Sequence, residues 1–369
     1  MHSNTSSSMK HMTYIAGISM LVLLNTSCGG KSEKSKELTY DIEALDNMPA
    51  DSVDICMVNT DIEFGNPSTI DFINDTLMIV FDQNVNDYVA HIIDTNGHHI
   101  RSFGRKGRGE GELISPEDVS LSQRKDSVFI YDMMLQRMLG FNLSQLLSGE
   151  EQTPSTLQLN PEIEGLEYRF FHTEAGVDGQ LFGFGPSTAR IVTMTDGNPS
   201  YTYTDYPAAD EDEETNRSIW NYSGSLNALS PDRKKLVVAT HIGGLFEIFD
   251  VDGGKLESRT VKGFYKPEYS YAEGAMPKVV IPNSKNYIAG FRTLATGNDD
   301  FVAVLDGPDV KRINEIFTFD YDGEVKSRKI VGNGWVNIIG YNENGDIYCF
   351  AWDKDIKEMN LYSLPLKSL

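Results

Sequence analysis

Beyond residue 50 the apolar positions come in short runs separated by turn residues, with almost no helical periodicity. That is the pattern of many short strands. One unit recurs: an aliphatic and aromatic run ends in Asp, a Gly or Asn turn follows, and another strand begins. Copies lie at His91–Gly97, Leu245–Gly253 and Ile316–Gly323, with a looser one at Ile191–Gly197. Asn-Gly and Asp-Gly supply the positive φ that tight hairpins need. Met138–Asn142 and Met359–Tyr362 fit the same slot without the turn signature. A preceding strand is visible at Thr76–Asp82, Ser127–Asp132, Gln180–Phe184, Lys235–Ala239 and Asp346–Ala351.

The recurring slots fall near 92, 140, 192, 248, 318 and 361. Spacings of roughly 40–70 residues are those of four-stranded blades with variable loops. A single blade cannot bury both faces, so blades stack in a ring. The expectation is an all-β, six-bladed β-propeller over residues 51–369, with four-stranded antiparallel blades. The chain ends soon after its last third strand, so the ring needs an outer strand from elsewhere. Val53–Val58 is the candidate that closes it.

The N-terminus has a different character. Lys10 and His11 precede the apolar stretch Tyr14–Leu24, too short to span a bilayer comfortably, and Asn25-Thr26-Ser27-Cys28-Gly29-Gly30 follows. This resembles a bacterial lipoprotein signal, which implies that residues 1–28 end at a lipidated Cys28. Asn25 stands where the family usually has leucine. An ordinary cleaved signal with an incidental cysteine is the alternative. Residues 29–50 begin polar and small and are expected to form a flexible tether. No later stretch reads as a transmembrane helix, so the membrane is expected to be met through the lipid anchor only.

Composition narrows the function classes. The chain has 369 residues, 40% hydrophobic and 10% aromatic, enough for a large core. Its formal net charge of -22 repels nucleic acid and anionic lipid heads, so neither is an expected partner. Three cysteines are too few for a disulfide scaffold. Cys56 and Cys349, in strand-like runs near opposite ends of the mature chain, are expected to be buried free thiols. A disulfide between them requires the two ends to meet.

Two segments resemble known repeats. Phe103–Val119, rich in glycine and followed by Ser127–Asp132 and Arg137–Phe141, resembles the NHL repeat. Leu226–Val237 resembles the Ser-Pro-Asp-Gly-Lys motif of TolB propellers, with Arg233 in place of the glycine. Together with the signal, the chain resembles the TolB-like six-bladed propeller lipoproteins of Bacteroides and relatives. That resemblance implies a fold and an envelope location more than an activity. The expected place is the outer membrane, on its periplasmic side rather than the cell surface.

Candidate chemistry is sparse. The glycine-rich loop 104–111 lacks the Lys-Ser/Thr ending and the following helix of a P-loop. It reads as the turn between the first two blades. Its Arg105, Lys106 and Arg108 form a basic cluster on an acidic protein, a candidate for holding a carboxylate ligand or acidic partner. Trp220 and Tyr222, beside Arg217, are candidate lining for a carbohydrate or peptide site. The Asp-x-Asp-Gly pieces at 250–253 and 320–323 lack the remaining calcium ligands and read as hairpins. Asp210–Glu214 reads as a solvated acidic loop. The seven histidines show no metal spacing, no nucleophile elbow appears, and no cofactor is expected.

The leading expectation is a non-catalytic binding or scaffold module of the cell envelope, for a protein or small ligand. The alternative is a propeller enzyme, lactonase-like or a glycan-active hydrolase or lyase, with its site in the central channel. The channel separates them: three or four converging Asp, Glu, Asn or His side chains favour an enzyme.

Overall fold

The computed structural model describes residues 42–364 apart from 54, 84–86, 161, 164–165, 168–169, 171, 178, 186–188, 208–224, 266–268, 272–279, 283–287, 309, 333 and 356. Cys28, Trp220, Tyr222 and the acidic run 210–214 lie outside the described residues.

The protein is a six-bladed β-propeller. The first three blades are Pro67–Asn74, Leu77–Asp82, Tyr88–Asp94 and His99–Arg105; Pro116–Leu121, Ser127–Asp132, Arg137–Asn142 and Ser155–Gln158; and His172–Ala175, Gln180–Phe184, Ile191–Thr195 and Asn198–Tyr203. The fourth holds Leu226–Leu229, Lys235–Ala239, Leu245–Asp252 and Lys255–Gly263. The fifth holds Ile288–Thr296, Asp300–Pro308, Glu315–Asp320 and Val325–Val331. Trp335–Tyr341, Ile347–Asp353 and Glu358–Leu364 make three strands of the sixth. All six expected third-strand slots are third strands. The first strand of every blade contributes to the wall of one central channel.

The ring closes as expected. Cys56–Val58 pairs antiparallel with the last strand, Cys56 opposite Ser363, and completes the sixth blade. A second N-terminal contact was not legible: Asp51–Val53 runs parallel to Val325–Val331 as a fifth strand on the fifth blade. Ahead of it, Leu45 of the short helix Glu43–Asp46 is fully buried. It packs among Phe246, Phe264, Phe291, Phe301 and Phe319, between the fourth and fifth blades. The N-terminal segment therefore fastens two neighbouring blades at once.

One of the cysteine expectations is corrected. Cys349 is buried, and burial pushes its thiol up to about 12. Cys56, on the outermost strand, is exposed. The two chain ends do meet, but both thiols are free. Tyr362 stands opposite Cys349 and also opposite Met57, one residue past Cys56. Successive residues point to opposite faces of a sheet, so the two sulfurs lie on opposite faces of the blade.

The Asp-x-Asp-Gly pieces are hairpin chemistry. Asp320 Oδ1 accepts the backbone N–H of Asp322 at 3.0 Å and of Glu324 at 2.8 Å. Asp250 is held by Lys235 and Arg259. Between the third and fourth blades Arg190 Nη1 donates to Glu247 Oε2, with side chains only 2% and 3% exposed. The guanidinium also lies 5.6 Å from the Phe249 ring centre.

Candidate functional site

The inner strands line the channel, and register shifts in several of them break strict alternation. The first four blades deliver polar groups there: Asp71, then Glu117 and Asp118, then His172 and Glu174, then Asn227. The last two deliver Leu294, Ala295, Ile338 and Ile339. The cavity, about 250 Å³, thus mixes polar and apolar lining around the ring, with its carboxylates on the first three blades.

The end of the channel where the first strands turn into the second is bridged. Arg233 lies in that turn of the fourth blade, at φ 61°, the left-handed conformation that the usual glycine adopts without strain. Its Nη2 donates across the ring to Leu121 O of the second blade, and its Nη1 to Ser230 O at 3.3 Å. Ser230 Oγ holds the turn by accepting from Lys235 N at 2.9 Å. Lys125 Nζ donates to Glu343 Oε1 at 2.7 Å, linking the second blade to the sixth. The opposite end is where the first strands begin.

The channel groups are tuned by burial and by one another. Burial raises Asp71, only partly offset by Arg233 and Lys125; its Oδ2 accepts Leu121 N at 3.3 Å. Burial, with the charges of Asp118 and Asp71, holds Glu174 far above the carboxylate range, against Arg233 and a 3.4 Å bond from Asn227 Nδ2. Burial opposes charge on His172, but the Asp118 carboxylate 3.7 Å away outweighs it and holds the imidazole above its usual value. Burial and nearby His172 lower His241. Its Nδ1 donates to Phe291 O at 2.8 Å, since a carbonyl only accepts, which leaves Nε2 as the acceptor of the neutral ring.

These shifts fix a pH dependence. A carboxyl raised in the folded state costs nothing below its ordinary pKa, where it is protonated folded or unfolded. The cost grows as pH rises above 4.5 and is complete above the raised folded value. Glu174→Gln is expected to stabilise the protein at neutral pH and to flatten its loss of stability from pH 4.5 upward. Urea midpoints of both proteins across that range check this; parallel curves would refute it.

The basic cluster stands elsewhere. Arg105 ends the outer strand of the first blade, with Nε 3.7 Å from Glu112 Oε1. Lys106 Nζ donates to Gln83 O at 3.0 Å, and Arg108 is exposed. None of the three lines the channel. The glycine-rich loop does join the first two blades, and it wraps a carboxylate of its own. Gly109 N donates to Glu112 Oε2 at 2.7 Å, and a Cβ on Gly107 would stand 2.0 Å from that oxygen. The channel residues carried no signal, because the polar positions are spread over four blades. Arg233 alone showed one: a side chain at the glycine position of a turn.

Among the described residues no three His, Cys, Asp or Glu side chains are grouped to hold a metal ion. A family model described as DUF5128, 6-bladed beta-propeller, matches residues 55–181. A solved protein from Bacteroides fragilis is similar with a TM-score of 0.53 and 11% identity, covering 85% of this chain and 95% of that one. The structure of U3-55K is similar at 0.50 and 9% identity, covering 86% and 100%. At these identities the likeness is one of fold. No curated protein matches the sequence.

Proposed function

We propose that this is a cell-envelope lipoprotein whose propeller binds a small polar ligand in its central channel, as a non-catalytic module. The observation that carries the reading is the convergence of Asp71, Asp118, His172, Glu174 and Asn227 from four blades on one cavity. Burial works against the charged forms of Asp71 and Glu174. Groups that folding disfavours, aimed at a shared space, are what a ligand site retains. The test is a thermal-shift panel of monosaccharides, uronic acids, amino acids and short dicarboxylates. At least one class is expected to raise the melting temperature, and Asn227→Ala is expected to abolish the rise. A rise unchanged in Asn227→Ala would contradict the channel as its origin.

The envelope location rests on Cys28 and the apolar stretch before it. Each buried acyl methylene is worth about 0.8 kcal/mol. Cys28→Ser is therefore expected to move the protein from the membrane fraction almost wholly to the soluble one, with loss of labelling by palmitate. Membrane retention without the label would count against the anchor. Protease shaving of intact cells is expected to spare the protein if it faces the periplasm.

A second reading, a glycan-active hydrolase or lyase, is favoured by one observation. Glu174 is shifted up and His241 down in the same cavity, the separation that equips one group as proton donor and another as acceptor. Turnover of a bound ligand, lost in both Glu174→Gln and His241→Ala, would move the protein to this reading.

A further inference from the structure

Trp335 and Trp352 stand directly opposite each other on the first and second strands of the sixth blade. They are 43% and 39% exposed. Opposite residues on antiparallel strands share a face, with Cβ atoms about 5 Å apart, so the two indoles rise from one face of the blade as neighbours. Trp352 continues a row with Tyr348 and Phe350, which sit in the core against the first blade. Phe350 packs edge-on to Phe64 at 5.0 Å. The row thus leaves the core at the end of the blade where Trp335 opens the inner strand. Three residues further along that strand, Ile338 lines the cavity. The tryptophan pair therefore lies about 10 Å along the strand from the cavity wall.

We infer that the channel ligand is a saccharide of more than one ring, one ring held in the cavity and the next stacked on Trp335 and Trp352. The inference rests on the reading of the channel as a ligand site and names the ligand's class. A pyranose has an edge of hydroxyls and a face of C–H groups. The cavity offers both kinds of partner: Asp71, Asp118, Glu174 and Asn227 for hydroxyls, and Leu294 and Ile338 for C–H groups. The C–H face also suits the electron-rich face of an indole. A gap of about 10 Å is bridged by two or three linked rings, not by one. Other exposed apolar residues of the end where the first strands begin are Tyr88 on the first blade, Val310 on the fifth, and Ile114, Met134 and Leu135 on the second. Trp335 and Trp352 differ from these in being aromatic cross-strand neighbours.

The test uses full-length protein carrying Cys28→Ser, titrated with mono-, di- and trisaccharides of glucose, mannose, N-acetylglucosamine and galacturonate. Calorimetry and tryptophan fluorescence report binding. Affinity is expected to rise about tenfold from the monosaccharide to the trisaccharide of one series. The Trp335→Ala/Trp352→Ala double variant is expected to lose that rise and keep the monosaccharide affinity. Trp335→Leu/Trp352→Leu, which keeps the apolar surface, guards against a folding artefact and is expected to lose it too. A rise that persists in both double variants overturns the inference, as does affinity independent of chain length, which would leave the tryptophan pair to a protein partner. Binding only of amino acids or dicarboxylates, abolished by Asn227→Ala, would overturn the saccharide while leaving the channel site standing. If neither they nor any saccharide bound, both readings would fall.

Discussion

Deleting residues 51–60 is expected to lower the melting temperature by on the order of 10 °C. The deletion removes two strands at once. Cys56–Val58 supplies the fourth strand of the sixth blade, and Asp51–Val53 the fifth of its neighbour. Val53 and Ile55 pack against the core between those blades, and Val58 against the core between the sixth and first. Losing this partial burial and the ladder bonds costs about 3–5 kcal/mol. Each kcal/mol shifts the midpoint of a chain this large by roughly 2–4 °C or less. The deletion also bares the edge of Glu358–Leu364, so concentration-dependent association is expected alongside. Calorimetry and light scattering on the intact and shortened proteins decide it. Equal midpoints would mean that the ring closes without this segment.

Glu247→Ala is expected to destabilise the protein by about 3–5 kcal/mol, because it strands the buried charge of Arg190. The pair sits between the third and fourth blades, and the same guanidinium donates to Asp205 O at 3.3 Å. Burial, reinforced by the Glu247 charge, raises the Tyr203 phenol. Loss of that charge is expected to bring the Tyr203 titration down, visible by ultraviolet absorbance. Replacing both partners, Arg190→Met with Glu247→Leu, is expected to recover most of the stability, since an apolar pair has no charge to desolvate. Denaturant midpoints of the single and double variants check the order. A single variant as stable as the double would show that Arg190 finds another counterion.

The strands that could be read from the chain are those whose chemistry is local. Leu245–Asp252 and Glu315–Asp320 carry apolar runs and end at an Asp-rich hairpin, so run and turn signal together. Asp300–Pro308 is buried along most of its length and lacks alternation, which hid the second strand of the fifth blade. Asp51–Val53 is three residues long, with two exposed, too short for any period. Its parallel partner lies more than 270 residues away, a pairing set by ring closure. The channel was hidden for the same reason. Asp71, Glu174 and Asn227 are ordinary polar residues on short inner strands until the ring brings them together. The basic cluster at 105–108 was conspicuous because its residues are neighbours in sequence, yet the fold spends Arg105 and Lys106 on Glu112 and Gln83. Local density of charge marked a loop, whereas the candidate site is spread over four blades.

The channel as binding site is tested most directly by crystallising the protein with the best ligand of the thermal-shift panel and inspecting the difference density. Density is expected inside the cavity within hydrogen-bond distance of Asn227, Glu174 or His241, and none in crystals of Asn227→Ala grown the same way. Ligand density elsewhere on the protein, with only water between Asp71 and Ile339, would contradict it.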